Sequence, residues 1–140
     1  MYENSLEILN SNYKSEKGSF IYSLHERNYF NKDLYWEYYN AILNITESSL
    51  NKPLDKEISK MIFDTYNYFL KSIIWHLSTN DLSKIDNFPS EGINLYVERL
   101  SVRISSGYLK NVILMNVSLM KNYKTHIIRR IKGLRHNFYR

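Results

Sequence analysis

The side chains best suited to proton transfer or metal ligation near neutral pH are four histidines, His25, His76, His126 and His136. Their spacing builds no ligand set: the closest two, His126 and His136, lie ten residues apart, and no His-x-x-x-His pair shares a helical face. Glu26 follows His25 directly, so on a helix the two point to different faces. The serines Ser19, Ser23 and Ser72 fall in helical patterns, not in the Gly-x-Ser-x-Gly elbow that exposes a nucleophile. The glycines Gly18, Gly92, Gly107 and Gly133 are scattered, so no loop of successive backbone N–H groups cradles a phosphate. Asp55 and Glu57 sit at a helix start, where complementing the helix dipole accounts for them. With no cysteine, disulfides, thiolate catalysis and Cys-ligated zinc are excluded. These residues lead us to expect no catalytic set, no metal, no cofactor and no small-molecule ligand.

One arrangement keeps a catalytic alternative open. Arg130 and His136 are separated by five residues near the C-terminus, and Arg129 and His136 by six. This resembles the Arg–His element of HEPN ribonucleases, helical proteins in which Arg and His of two subunits converge on the RNA backbone. The resemblance implies an RNA site at Arg129, Arg130 and His136. It departs from the family pattern where Ile131, not a polar residue, follows Arg130.

Apolar periodicity shows which elements would position these groups. Ile58, Met61, Ile62, Thr65, Phe69, Leu70, Ile73 and Leu77 recur at intervals of three and four, predicting a helix over Leu54–Leu77. Pro53 with Asp55 and Glu57 marks its start, and Ser78 to Asp81 ends it. Leu34, Tyr35, Tyr38, Ala41, Ile42 and Ile45 predict a second helix, capped by Asn31. A shorter helix over Ser19–Arg27 presents Phe20, Ile21 and Leu24 to the same core, and Leu6, Ile8 and Leu9 predict a helical turn or two before Lys17. Leu82 to Gly92, with Asn87, Pro89 and Gly92, reads as a loop. Ile93, Tyr96, Val97, Leu100 and Ile104 form another stripe that stops near Gly107. Ile113, Val117, Met120, Ile127, Ile131, Leu134 and Phe138 predict a long final helix. The expected fold is all-α: a single domain over residues 1–140, a bundle of about five helices with a long basic C-terminal helix.

Charge divides along the chain. Residues 1–98 hold nine Lys/Arg and 14 Asp/Glu, and residues 99–140 hold ten Lys/Arg and no acid. The basic end either docks beside the acidic helices or offers a phosphate-binding surface, the second being the nucleic-acid alternative. Thirteen tyrosines stand beside 16 Asn, 15 Ile and a single Ala, a mixture that adenine- and thymine-rich codons produce. Tyrosine still suits half-buried positions and contact surfaces. No apolar run reaches the length of a membrane span, since Asn116 and Ser118 interrupt Val112–Met120. The first residues lack the pattern of a secretion signal. The expectation is a cytoplasmic protein without a membrane partner.

The stretch Gly18-Ser19-Phe20-Ile21-Tyr22-Ser23-Leu24-His25-Glu26, followed by Leu34-Tyr35-Trp36-Glu37-Tyr38-Tyr39-Asn40, is similar to small α-helical immunity proteins of bacterial polymorphic toxin and contact-dependent growth inhibition systems. That resemblance covers residues 15–50. It implies a non-enzymatic protein that protects its cell by binding a cognate toxin domain over the active site or substrate surface. With Tyr35, Tyr38 and Ile42 turned inward, Trp36, Glu37 and Tyr39 are the better candidates for exposure, and the equal alternative for Trp36 is packing under a neighbouring helix. With Glu26 and Asp33 they form the expected toxin-binding surface. Immunity proteins against nucleases often present acidic surfaces, which Glu26, Asp33, Glu37, Glu47 and Asp64 would supply, while the basic tail equally permits an acidic toxin.

Overall fold

Three of the helices begin where a side chain replaces a missing backbone partner. Asn31 Oδ1 accepts the Asp33 and Leu34 N–H groups, Asp55 Oδ1 those of Glu57 and Ile58, and Ser19 Oγ that of Tyr22. The computed structural model of the protein describes residues 1–49 and 54–107. Within them the helices are α1 (Tyr2–Tyr13), α2 (Phe20–His25), α3 (Lys32–Ser48) and α4 (Lys56–Leu77). A fifth, α5, runs over residues 93–107, the end of the described chain. The fold is all-α. None of its described helices is long and apolar enough to cross a membrane. Pro53, the expected C-terminal helix, and with it Arg129, Arg130 and His136 lie outside the described residues.

The core gathers around Phe20. This residue is 0% exposed and meets Phe30, Tyr35 and Phe69 edge-on at ring-centroid distances of 5.4, 5.4 and 5.6 Å, with Tyr38 stacked at 6.2 Å. Edge-to-face pairs set the positive rim of one ring against the negative face of another, so a cluster of rings holds one geometry. The two buried phenols each find an acceptor or partner: Tyr35 donates to the Tyr96 carbonyl at 2.7 Å, and Tyr38 shares a 2.5 Å bond with Thr65 Oγ1. Burial pushes both hydroxyls well above the ordinary tyrosine range, so they stay neutral. The α4 stripe lies as its spacing predicts at Ile62, Thr65, Phe69 and Ile73, but Leu77 is exposed.

The N-terminal turns expected around Leu9 are in fact a 12-residue helix. Its inner face buries Ser5, Leu9 and Asn12, two of them polar, which is why an apolar count underestimates it. It runs antiparallel to α3: Asn44 Nδ2 donates to Ser5 Oγ at 3.2 Å near one end, while Glu37 shares a cleft with Ser11 and Asn12 near the other. Beyond α1, the Glu16 N–H reaches the Ser11 carbonyl and the Ser15 N–H that of Asn12. That is a Schellman closure, with Ser15 (φ 53°) at the position glycine usually takes. The short helix α2 ends at His25, before the expected Arg27, as Asn28 turns left-handed (φ 45°).

The predicted loop before α5 is tied through its middle to the α2–α3 turn and to the end of α4. Asp86 N–H donates to the Asn28 carbonyl, the Asp86 carbonyl accepts from Phe30, and Asn87 Nδ2 caps the Phe30 carbonyl. Ile85 is buried there, while Lys84 Nζ donates to the His76 and Ser78 carbonyls that end α4. At the far end of α5, Gly107 lies so close to α3 that a Cβ would stand 2.7 Å from Thr46 Cγ2.

Candidate interaction surface

The residues expected to bind a partner fall on three separate faces. Asp33 and Glu37 are exposed one turn apart on α3, and neither makes an ion pair among the described residues. Glu26 caps the C-terminal end of α2 on the α4 side, where it lies 3.4 Å from His25. The His25 ring bonds Tyr68 of α4 at 2.7 Å, and burial raises the Tyr68 pKa.

Trp36 and Tyr39 do not face open solvent as the helical wheel suggests; both are half-buried against α5. Trp36 meets Tyr35, Tyr39 and Tyr96 and lies under the Arg99 guanidinium, 5.3 Å from the ring centroid. The Tyr39 hydroxyl accepts a 3.2 Å bond from Arg103 Nε, which holds the guanidinium pKa above its ordinary value. Glu47 approaches the same Arg103 at 3.9 Å. Helix α3 is covered from two sides, by α1 on one face and by Tyr96, Arg99 and Arg103 of α5 on another.

Glu37 has a different neighbour. It lines a cleft of about 220 Å³ between α1 and the start of α3, with Glu7 on the other wall and Asn4, Ile8 and Ser11 between. Lys17 is the cation of that cleft. The antiparallel run of the helices places Glu3 one turn before Glu7 and Asp33 one turn before Glu37, so four exposed carboxylates string out along the α1–α3 seam. No described residue forms an ion pair with any of them. Like charges on two rigid helices raise the local negative potential, which a cationic partner relieves. Glu3 and Glu7 escaped sequence reasoning because α1 was read as a turn or two; their i, i+4 spacing was the available signal.

His76 Nδ1 accepts the Ile85 N–H at 2.9 Å and its ring lies against Phe88, so it serves the loop. Partial burial, with Lys84 nearby, lowers its pKa. No three His, Asp or Glu side chains gather to hold a metal ion among the described residues. Comparison with protein-family profiles, curated proteins and solved structures finds no match to this chain.

Proposed function

We propose that this protein is a cytoplasmic immunity protein that neutralises a cognate bacterial toxin domain by covering its active site or substrate surface, with the acidic α1–α3 seam as its contact face. The observation that carries this reading is the row Glu3, Glu7, Glu37 and Asp33, exposed and without ion pairs among the described residues, on two helices packed against an aromatic core. A nuclease-type toxin, whose phosphate-binding surface is basic, is the partner whose charge fits it. Opposite charges would speed capture, and a preformed backbone would lose little freedom on binding. Compared with the surface read from sequence, Asp33 and Glu37 remain, Glu7 and Glu3 join them, and Trp36 and Tyr39 become the packing that fixes α3.

The test is capture of partners from the native strain with the tagged full chain, followed by binding kinetics. The expected partner is a toxin domain held in equimolar ratio, with an association rate that falls steeply as salt rises. Glu7→Lys with Glu37→Lys should weaken binding by about 100-fold or more, since like-charge juxtaposition costs several kcal/mol. Unchanged affinity in that variant removes the seam as the contact face. Capture of RNA that is lost with Arg130→Ala would replace the immunity reading with the ribonuclease one.

A further inference from the structure

A second cleft, larger and opposite in character, lies on the other side of the turn that leads into α2. Its volume is about 710 Å³, and Lys17, Tyr22, Arg27, Tyr29 and Leu34 are among its walls, with no carboxylate. Neither Lys17 nor Arg27 has an ion-pair partner among the described residues. Arg27's neighbour Glu26 turns to His25 instead, whereas Lys17 also borders the cleft that holds Glu7 and Glu37. The remaining polar lining is committed or donating. Ser23 Oγ donates to the Tyr29 carbonyl, Ser19 Oγ accepts the Tyr22 N–H, and Asn31 Oδ1 caps α3, which leaves its amide N–H groups as donors.

Two cations, an amide and two tyrosines on a wall that carries no carboxylate suit an anion. The volume argues against a bare inorganic ion, since pockets of roughly 300–1,000 Å³ hold drug-sized ligands. The apolar part of the wall comes from Leu34 and the Tyr22 and Tyr29 rings, which suit a flat aromatic group. The wall is also preformed: Ser23 holds Tyr29 from both sides, its carbonyl taking the Tyr29 N–H at 3.0 Å and its hydroxyl bonding the Tyr29 carbonyl at 2.9 Å. Little order has to be created on binding.

We propose that this cleft binds a small organic phosphate of the nucleoside monophosphate class, with the phosphate between Lys17 and Arg27 and the base against the Tyr22 and Tyr29 rings. The site borders the acidic cleft of the α1–α3 seam, with which it shares Lys17, Gly18 and Ser19. It uses residues from two turns and two helices that carry no shared sequence motif.

The experiment is a calorimetric titration of the full chain with AMP, GMP, CMP and UMP, alongside the four parent nucleosides, inorganic phosphate and a short RNA carrying a 5′-phosphate. Saturable binding of at least one monophosphate is expected, about tenfold or more tighter than its nucleoside, because charge-assisted bonds to the phosphate are lost with it. Lys17→Ala and Arg27→Ala should each weaken binding by about tenfold with an unchanged melting temperature, both side chains being exposed. Tyr29→Leu should weaken the monophosphate but not inorganic phosphate. The proposal is overturned by absence of saturable binding at millimolar monophosphate, or by full affinity in the Lys17→Ala/Arg27→Ala double variant. Inorganic phosphate binding as tightly as any nucleotide, or RNA binding where free monophosphates do not, would overturn it as well.

Discussion

Asn12 is the polar joint between α1 and α2, and its removal should cost far more than its size suggests. The side chain is 1% exposed; Nδ2 donates to the Ile8 carbonyl at 2.8 Å and Oδ1 accepts the Ile21 N–H at 3.1 Å. Ile21 lies in the first turn of α2, where backbone N–H groups have no helical partner, and this one is buried. Asn12→Ala leaves that donor without an acceptor, at about 1–3 kcal/mol, and deletes the Ile8 bond, at about 1 kcal/mol. The total is about 2–4 kcal/mol out of a typical domain stability of 5–15 kcal/mol. In urea unfolding followed by circular dichroism, with a slope of about 2 kcal/mol/M, the midpoint should fall by roughly 1–2 M with the slope unchanged. Asn12→Leu, which conserves volume but also strands the donor, should fare no better. Asn4→Ala, at an exposed position on the same helix, should stay within about 0.5 kcal/mol. If Asn12→Ala also shifts stability by less than about 0.5 kcal/mol, or if Asn12→Leu is more stable than the native chain, the argument that this bond sets the start of α2 is wrong.

Two further outcomes follow from local geometry. Ser15 takes a left-handed conformation (φ 53°), and its buried Oγ has no hydrogen-bond partner among the described residues, so Ser15→Gly relieves both and should raise stability by about 1 kcal/mol in the same urea assay. A loss of stability would show that the hydroxyl is paired in solution. His76 has its pKa lowered from 6.5 by burial and by Lys84, so the unfolded chain takes up its proton at higher pH than the folded one. Its contribution is therefore fully present above about pH 6.5 and is lost as the pH falls through the lowered value. Hydrogen exchange at the Ile85 amide, which His76 Nδ1 accepts, should lose protection over that acidic range once intrinsic rates are removed; protection that does not vary with pH would refute it.

How much of this was legible in the chain differs from element to element. Helices α3 and α4 were readable because a helix that buries one stripe repeats its apolar residues every three or four positions, and Tyr35, Tyr38, Ile42, Ile62 and Phe69 do so. The cap at Asn31 was readable for a local reason, since its acceptor serves N–H groups only two and three residues on. Helix α1 was misjudged in extent because polar Ser5 and Asn12 occupy buried positions whose value depends on partners in other elements. Trp36 and Tyr39 looked exposed for a related reason: one helix's periodicity gives the direction of a side chain but not the neighbour waiting there, in this case α5 with Tyr96, Arg99 and Arg103.

Helical class, inward stripes and the segregation of charge were legible along the chain, because these depend on residues a few positions apart or on composition alone. Which charges face one another depends on how the helices cross. Glu7 and Glu37 are thirty residues apart and share a cleft, while Glu26 and Glu37, eleven apart, lie on different faces. The cation-lined cleft of Lys17 and Arg27, invisible to any motif, exists because two turns and the ends of α2 and α3 meet there. Surfaces are built from chain crossings, and crossings are fixed by packing of the whole core around Phe20, not by spacing along the chain.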